Sequence, residues 1–266
     1  MNLIFDFDGT LHVSHATYMP AFTDTLSWMR AQGCEPARAM SCEEVGYWLG
    51  TSSARMWELI APEAGEELRE ACAERMRTRI LQLAREGRAE LYPHIPETLA
   101  ALVAPEASEE LREACAERMR ARILQLARAG KAELYPHIPE TLAALTALGH
   151  TLVLLSNCRH GYLQTFREVF ALDAWFSRFY CGEDFGWAPK SEVFATIAAD
   201  LGCAAAPQES CIVIGDRYHD IGIAREHGLR SVGCAYGYGE PSELEDASIV
   251  VEAPEELLAA IESLVG

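Results

Sequence analysis

Lysine is nearly missing from this chain: of its 22 basic residues, only Lys131 and Lys190 are lysines. Positive charge of any kind is scarce, with 40 acidic residues and a formal net charge of −18. A field of that sign repels phosphate backbones and anionic headgroups, which argues against nucleic acid and membrane surfaces as partners. An anionic small molecule would have to be drawn in by local positive charge. No apolar run approaches the ~20 residues that a bilayer span needs. The amino terminus lacks a basic region followed by a long apolar stretch, so no signal peptide is expected. No CxxC pair occurs among the nine cysteines. An odd set without that spacing reads as buried or incidental thiols in a reducing compartment, the cytoplasm. What remains is a 266-residue chain, half of it hydrophobic, long enough for a real core and a smaller second domain.

The most informative stretch is Asp6-Phe7-Asp8-Gly9-Thr10, directly after the apolar run Leu3-Ile4-Phe5. If that run is a strand, Asp6 and Asp8 point to the same side, because side chains alternate along extended chain. Gly9 lets the backbone turn away. A close carboxylate pair then lies at the C-terminal end of a strand, where open α/β sheets place their ligands. Like charges so close need a shared proton or a cation. Mg²⁺ fits, being a hard cation that takes one or two carboxylates together with phosphate oxygens and water. Two further apolar runs end in the same way. Leu152–Leu155 leads into Ser156-Asn157, and Ile212–Ile214 leads into Gly215-Asp216, with Asp220 four residues later.

These residues resemble the haloacid dehalogenase superfamily of phosphohydrolases, in motif order and in spacing. DFDGT, LLSN, Lys190 and GDRYHD stand where that family has its four motifs, over nearly the whole chain. The resemblance implies a Rossmann-like parallel-sheet core with an inserted helical cap, most like the phosphoglycolate phosphatases. It implies Asp6 as nucleophile, forming an aspartyl-phosphate, and Asp8 as general acid and base whose backbone carbonyl also touches Mg²⁺. Ser156 and Lys190 would hold phosphoryl oxygens. Asp216 would complete the metal ligands, and Gly9, Thr10, Asn157 and Asp220 would support the site. An acid at Asp8 points to phosphate esters, because a departing halide needs no proton. Lys190 departs from the usual pattern: aligning Pro189 and Phe194 with the family would put Ala188 at the lysine position. The rarity of lysine in this chain favours Lys190.

A tandem repeat interrupts this plan. Residues 61–103 recur as 104–146, a period of 43, with differences only at Gly65/Ser108, Thr78/Ala121, Glu86/Ala129, Arg88/Lys131 and Val103/Thr146. Two copies are too few for a solenoid. Within each copy, Glu66 to Arg85 and Glu109 to Arg128 read as one helix with apolar residues at helical spacing. Gly87 and Gly130 suit the helix stop. Pro139 to Leu148 runs into the strand Leu152–Leu155, so the second copy must supply the core helix. Either copy can fill the cap-helix position. The displaced helix would pack as an addition to the cap, pair with another chain as a homodimer or domain swap, or stand as an inert insertion.

The expected core is therefore 1–15 with 135–266, and the cap 16–134. Helices are expected over Tyr162–Phe170, Glu192–Leu201, Ile221–His227 and Glu255–Val265, and strands over Arg178–Cys181, Arg230–Cys234 and Ser248–Val251. His12 and His15 read either as contacts to substrate or a closing lid, or as a solvated or capped helix start. The polar stretch Gly50–Arg55 is the expected substrate loop, with Arg55 either a bidentate carboxylate ligand or an ordinary surface arginine. A Schiff-base lysine, as in phosphonate hydrolysis, would have to be Lys131, which instead suits a helix end. The function expected is hydrolysis of small phosphate monoesters, phosphoglycolate or a similar metabolite. A sugar-phosphate mutase and a non-catalytic oligomerising scaffold are the alternatives.

Overall fold

The computed structural model describes residues 1–31 and 108–265. The first repeat copy, its helix Glu66 to Arg85 and the loop Gly50–Arg55 with Arg55 lie outside the described residues. The chain divides into two compact units: Met1–Ala16 with Ala127–Gly266, and Thr17–Leu126.

In the first unit six strands form one sheet: β1 Asn2–Phe5, β2 Thr151–Ser156, β3 Phe176–Cys181, β4 Cys211–Gly215, β5 Arg230–Cys234 and β6 Ile249–Val251. Their spatial order is β3-β2-β1-β4-β5-β6, and every pairing is parallel. Strands 1, 2 and 4 read as unbroken apolar runs because both faces of a parallel sheet are covered. Ile4, Val153, Leu155 and Val213 face one layer, where they join Val193, Phe194, Ile197, Ile223 and Ala224 in one buried cluster. After β3 the chain returns to the other side of β1 to make β4. The strand order reverses there, and the crevice between β1 and β4 opens at their C-terminal ends. Doubly wound sheets bind their ligands at such a point.

The helices are α1 His15–Ala31, α2 Glu109–Leu126, α3 Ile138–Ala147, α4 His160–Val169, α5 Lys190–Asp200, the single turn α6 Pro207–Ser210, α7 Tyr218–His227 and α8 Leu257–Val265. The starts of α4, α5 and α7 lie two or three residues earlier than the apolar periodicity suggests. Each first turn carries a polar side chain that reaches the site, Tyr162, Lys190 or Asp220, so hydrophobic spacing carries no signal there. The helix read as continuous from Glu109 to Arg128 ends at Leu126. A wider five-residue turn, Ala127–Lys131, follows, with Gly130 at φ 73°. The second repeat copy supplies α3, which carries Pro139 in its first turn.

The second unit holds most of α1 and all of α2. Cys115, Met119 and Ile123 are buried at four-residue spacing, one face of α2. Arg122 Nε reaches Asp24 Oδ2 at 2.5 Å, and Arg118 lies over the Trp28 ring. Residue numbers rise along one helix as they fall along the other, so the two run antiparallel.

Leu142 of α3 is fully buried. Leu142→Ala should lower unfolding free energy by about 2–5 kcal/mol, measured by urea denaturation. A change below about 1 kcal/mol would show that this copy of the repeat does not build the core.

Candidate active site

Asp6 leaves β1 still in the ladder, its N–H donating to the Ile214 carbonyl at 2.8 Å. The chain then folds back on itself. Leu11 N–H and His12 N–H both donate to the Phe7 carbonyl, and Tyr135 N–H donates to that of Leu11. Gly9 makes this turn possible at φ 88°, and a Cβ there would come within 2.2 Å of Asp216 Oδ2. Any side chain at Gly9 would therefore collide with the carboxylate that β4 delivers to the crevice.

The structure brings Asp6, Asp216, Asp220 and Lys190 together. Lys190 opens α5, yet its side chain is buried, and Nζ donates to Asp6 Oδ1 at 2.5 Å and to Asp220 Oδ1 at 2.6 Å. Ala188, the alternative lysine position, packs instead against the apolar cluster. Asp220 sits in the first turn of α7, where its other oxygen accepts the Arg217 N–H at 3.2 Å. Asp216 accepts the Tyr238 N–H at 2.7 Å and, more weakly, the Thr10 hydroxyl at 3.5 Å. Arg217 is turned away into a forked pair with Glu243. Ser156, at the end of β2, is buried at the same edge of the sheet, and Asn157 follows it.

Carboxylate oxygens of Asp6, Asp216 and Asp220 lie within 4.8 Å of one another, all three residues buried. Burial pushes the Asp216 carboxyl up to about 7, helped by Asp220, against the opposing Tyr238 N–H, Arg217 and Lys190. Burial likewise holds Asp6 well above the usual carboxylate range despite Lys190. For Lys190, burial favours the neutral amine, but Asp220 and Asp6 outweigh it and keep the ammonium charged. Three ionised carboxylates beside one ammonium leave two negative charges uncompensated, which is the charge of one divalent cation. Hard oxygen donors gathered this closely could hold a divalent metal ion.

Asp8 stands apart from this group by its side chain. Its Oδ1 accepts hydrogen bonds from Ser14 Oγ and Tyr162 OH, each at 2.6 Å, and lies 3.0 Å from His12 Nδ1. Burial opposes ionisation, but these three partners together hold the Asp8 carboxyl below its ordinary value. His12 is not the solvated residue expected from the sequence. It is fully buried, stacked on Phe7 and close to the Phe166 ring. An aromatic wall explains the difference: Phe7 follows β1, Phe166 lies in α4 and Phe170 just past its end, segments distant in sequence. His15 is half-buried, edge-on to Tyr238. Ser14, Tyr162 and Tyr238 were not singled out by the sequence. Tyr162 lies six residues after Ser156, in the first turn of α4, and that spacing alone carries no distinctive signal.

The haloacid dehalogenase-like hydrolase family profile matches residues 1–228. The chain belongs to that family and is a hydrolase. A curated 5'-nucleotidase of Pseudomonas aeruginosa is 34% identical over 97 residues, covering 36% of this chain and 42% of the relative. The match therefore spans less than half of that protein. Among solved structures, one described as a predicted phosphoglycolate phosphatase from Haemophilus somnus 129pt superposes with a TM-score of 0.65 at 19% identity, covering 97% of this chain and 96% of the other. CbbY from Rhodobacter sphaeroides, in complex with phosphate, gives a TM-score of 0.63 at 17% identity, covering 98% of each chain. At such identities these likenesses show the fold alone.

A carboxyl with a raised folded pKa binds its proton more tightly folded than unfolded. Its contribution to stability therefore falls as pH rises from the unfolded value, about 4, to the folded value of about 7. A divalent cation binds the ionised form and removes that penalty. Mg²⁺ should thus raise the Tm more at about pH 8 than at about pH 5.5, followed by circular dichroism. An equal or smaller rise at the higher pH would contradict this electrostatic account.

Proposed function

We propose that the chain is a Mg²⁺-dependent phosphatase that hydrolyses small phosphate monoesters through an aspartyl-phosphate on Asp6. The observation that carries this reading is Lys190 Nζ at 2.5 Å from Asp6 Oδ1, at the mouth of the β1–β4 crevice. A carboxylate approaching a phosphoryl group meets repulsion, and a fixed ammonium beside it reverses the local sign. Mg²⁺ held by Asp6, Asp216 and the Asp8 carbonyl, with Asp220 in support, would neutralise the charge spread over the transferring oxygens.

Asp6 attacks phosphorus while Asp8, which takes up a proton as the anionic phosphoryl group draws near and disfavours a second negative charge, gives that proton to the departing alkoxide. Asp8, now ionised, takes a proton from the water that attacks the phosphoryl-enzyme, releasing phosphate and restoring Asp6. Three hydrogen-bond partners on one oxygen of Asp8 fix its direction, so that the same group serves both half-reactions. Ser156 and Lys190 hold phosphoryl oxygens, and Asn157, Thr10 and Gly9 keep the loops around them in shape.

We read the core as 1–15 with 135–266 and the insertion 16–134 as the cap that selects the substrate, Arg55 included. The names of the similar proteins give two substrate kinds to try, phosphoglycolate and 5'-nucleotides. We favour a small phosphorylated metabolite of the first kind, in the cytoplasm. A homodimer or segment exchange through the duplicated helix is the assembly that the repeat suggests.

Phosphate release should require Mg²⁺ and disappear in Asp6→Asn. Asp8→Asn should lower turnover by about 10²–10⁴-fold, the contribution of a positioned acid–base group. A malachite-green assay over phosphoglycolate, nucleoside monophosphates and glucose 1-phosphate measures both. Metal-independent release, or release that survives Asp6→Asn, would overturn the proposal. Isomer exchange without net release would identify a mutase.

A further inference from the structure

A second group of ligand-bearing side chains converges at the end of β3, two strands over from β1 and the crevice. Cys181 is the last residue of β3 and is fully buried. His160 opens α4, and Asp184 lies in the single turn Gly182–Phe185. Their ligand atoms all fall within 4.8 Å of one another. We propose that Cys181, His160 and Asp184 form a further metal site, selective for Zn²⁺ over Mg²⁺.

The ligand types decide the metal. A thiolate and an imidazole are poor partners for Mg²⁺, whereas Zn²⁺ takes sulfur, nitrogen and carboxylate oxygen together. Geometry agrees. In a tetrahedral site with Zn–N and Zn–O near 2.1 Å, the nitrogen and oxygen stand about 3.4 Å apart. His160 Nδ1 and Asp184 Oδ1 are already 3.3 Å apart. Sulfur would stand about 3.6 Å from each, and in the structure it lies within 4.8 Å of both. Cys181 is fixed by its strand, but the side chains of His160 and Asp184 are 67% and 48% exposed and can swing inward. Water takes the fourth position.

The surroundings suit a cation. Glu183 Oε2 accepts the His160 N–H at 2.7 Å, its other oxygen pairs with Arg159 at 3.3 Å, and together they hold the first turn of α4 against the turn after β3. Zn²⁺ binding would displace the Cys181 thiol proton to solvent. Cys181 pairs in register with Ser156. A metal bridging His160 to Cys181 would therefore clip the Ser156–Asn157 loop to its neighbouring strand and brace one wall of the active site without entering it.

The test is Co²⁺ titration of the chelator-stripped full chain, with excess Mg²⁺ present to occupy the acidic group. An intense near-ultraviolet thiolate-to-cobalt band should saturate at one equivalent and be displaced by Zn²⁺. It should vanish in His160→Ala, an exposed position that leaves the core alone, and persist in Asp216→Asn, which damages only the acidic group. Absence of the band in folded protein, or its survival in His160→Ala, would overturn the proposal. Cys181→Ser should also lose the band, but His160→Ala decides the matter if that buried variant does not fold. The readout involves no catalysis, so its outcome is independent of the phosphatase reading.

Discussion

One ammonium group, Lys190 Nζ, stands between Asp6 and Asp220 in a region with almost no solvent. Three carboxylates gathered at the end of a sheet repel one another and lose their hydration, and each change costs several kcal/mol if nothing compensates. Lys190 compensates part of this, and the remaining negative charge makes the group ready for a divalent cation. The same charge balance sets the chemistry. In the phosphatase reading proposed above, an anion would enter this strongly acidic protein where Lys190 and a bound divalent cation together offset the three carboxylates.

The sheet delivers the parts. β1, β2 and β4 lie side by side, so Asp6, Ser156 and Asp216 emerge at one edge although they are far apart in the chain. Helices α5 and α7 bring Lys190 and Asp220 in their first turns, where a polar residue at a helix start can face a crevice instead of the core. Gly9 fits because any larger residue would strike Asp216. The fold and the site thus depend on each other: glycine at position 9 costs backbone freedom but leaves the space that the Asp216 carboxylate occupies.

Much of this was legible in the sequence because strand-end motifs are local. Three apolar runs, each ending in a polar group, place the parallel sheet and its crevice, and scarcity of lysine pointed to Lys190. Contacts made between distant segments were not legible. His12 reads as a surface residue until Phe166 and Phe170 enclose it. Tyr162 and Ser14 look ordinary until α4 carries the phenol to Asp8. The starts of α4, α5 and α7 are hard to read for the same reason: Tyr162, Lys190 and Asp220 reach the site from these first turns, which leaves no apolar period there. The duplicated segment is plain in the sequence, and the described residues show its second copy entering the core through α3.

The most direct test of the central claim is a double-mutant cycle on folding stability with Lys190→Met, Asp6→Asn and both together, measured without metal. If the ammonium is what makes the buried carboxylates tolerable, Lys190→Met alone should cost about 3–5 kcal/mol. Asp6→Asn should then recover a substantial part of that loss, giving a coupling of at least about 1 kcal/mol. Strictly additive effects would mean that Lys190 and Asp6 are merely neighbours, and that the charge balance described here does not hold the site together.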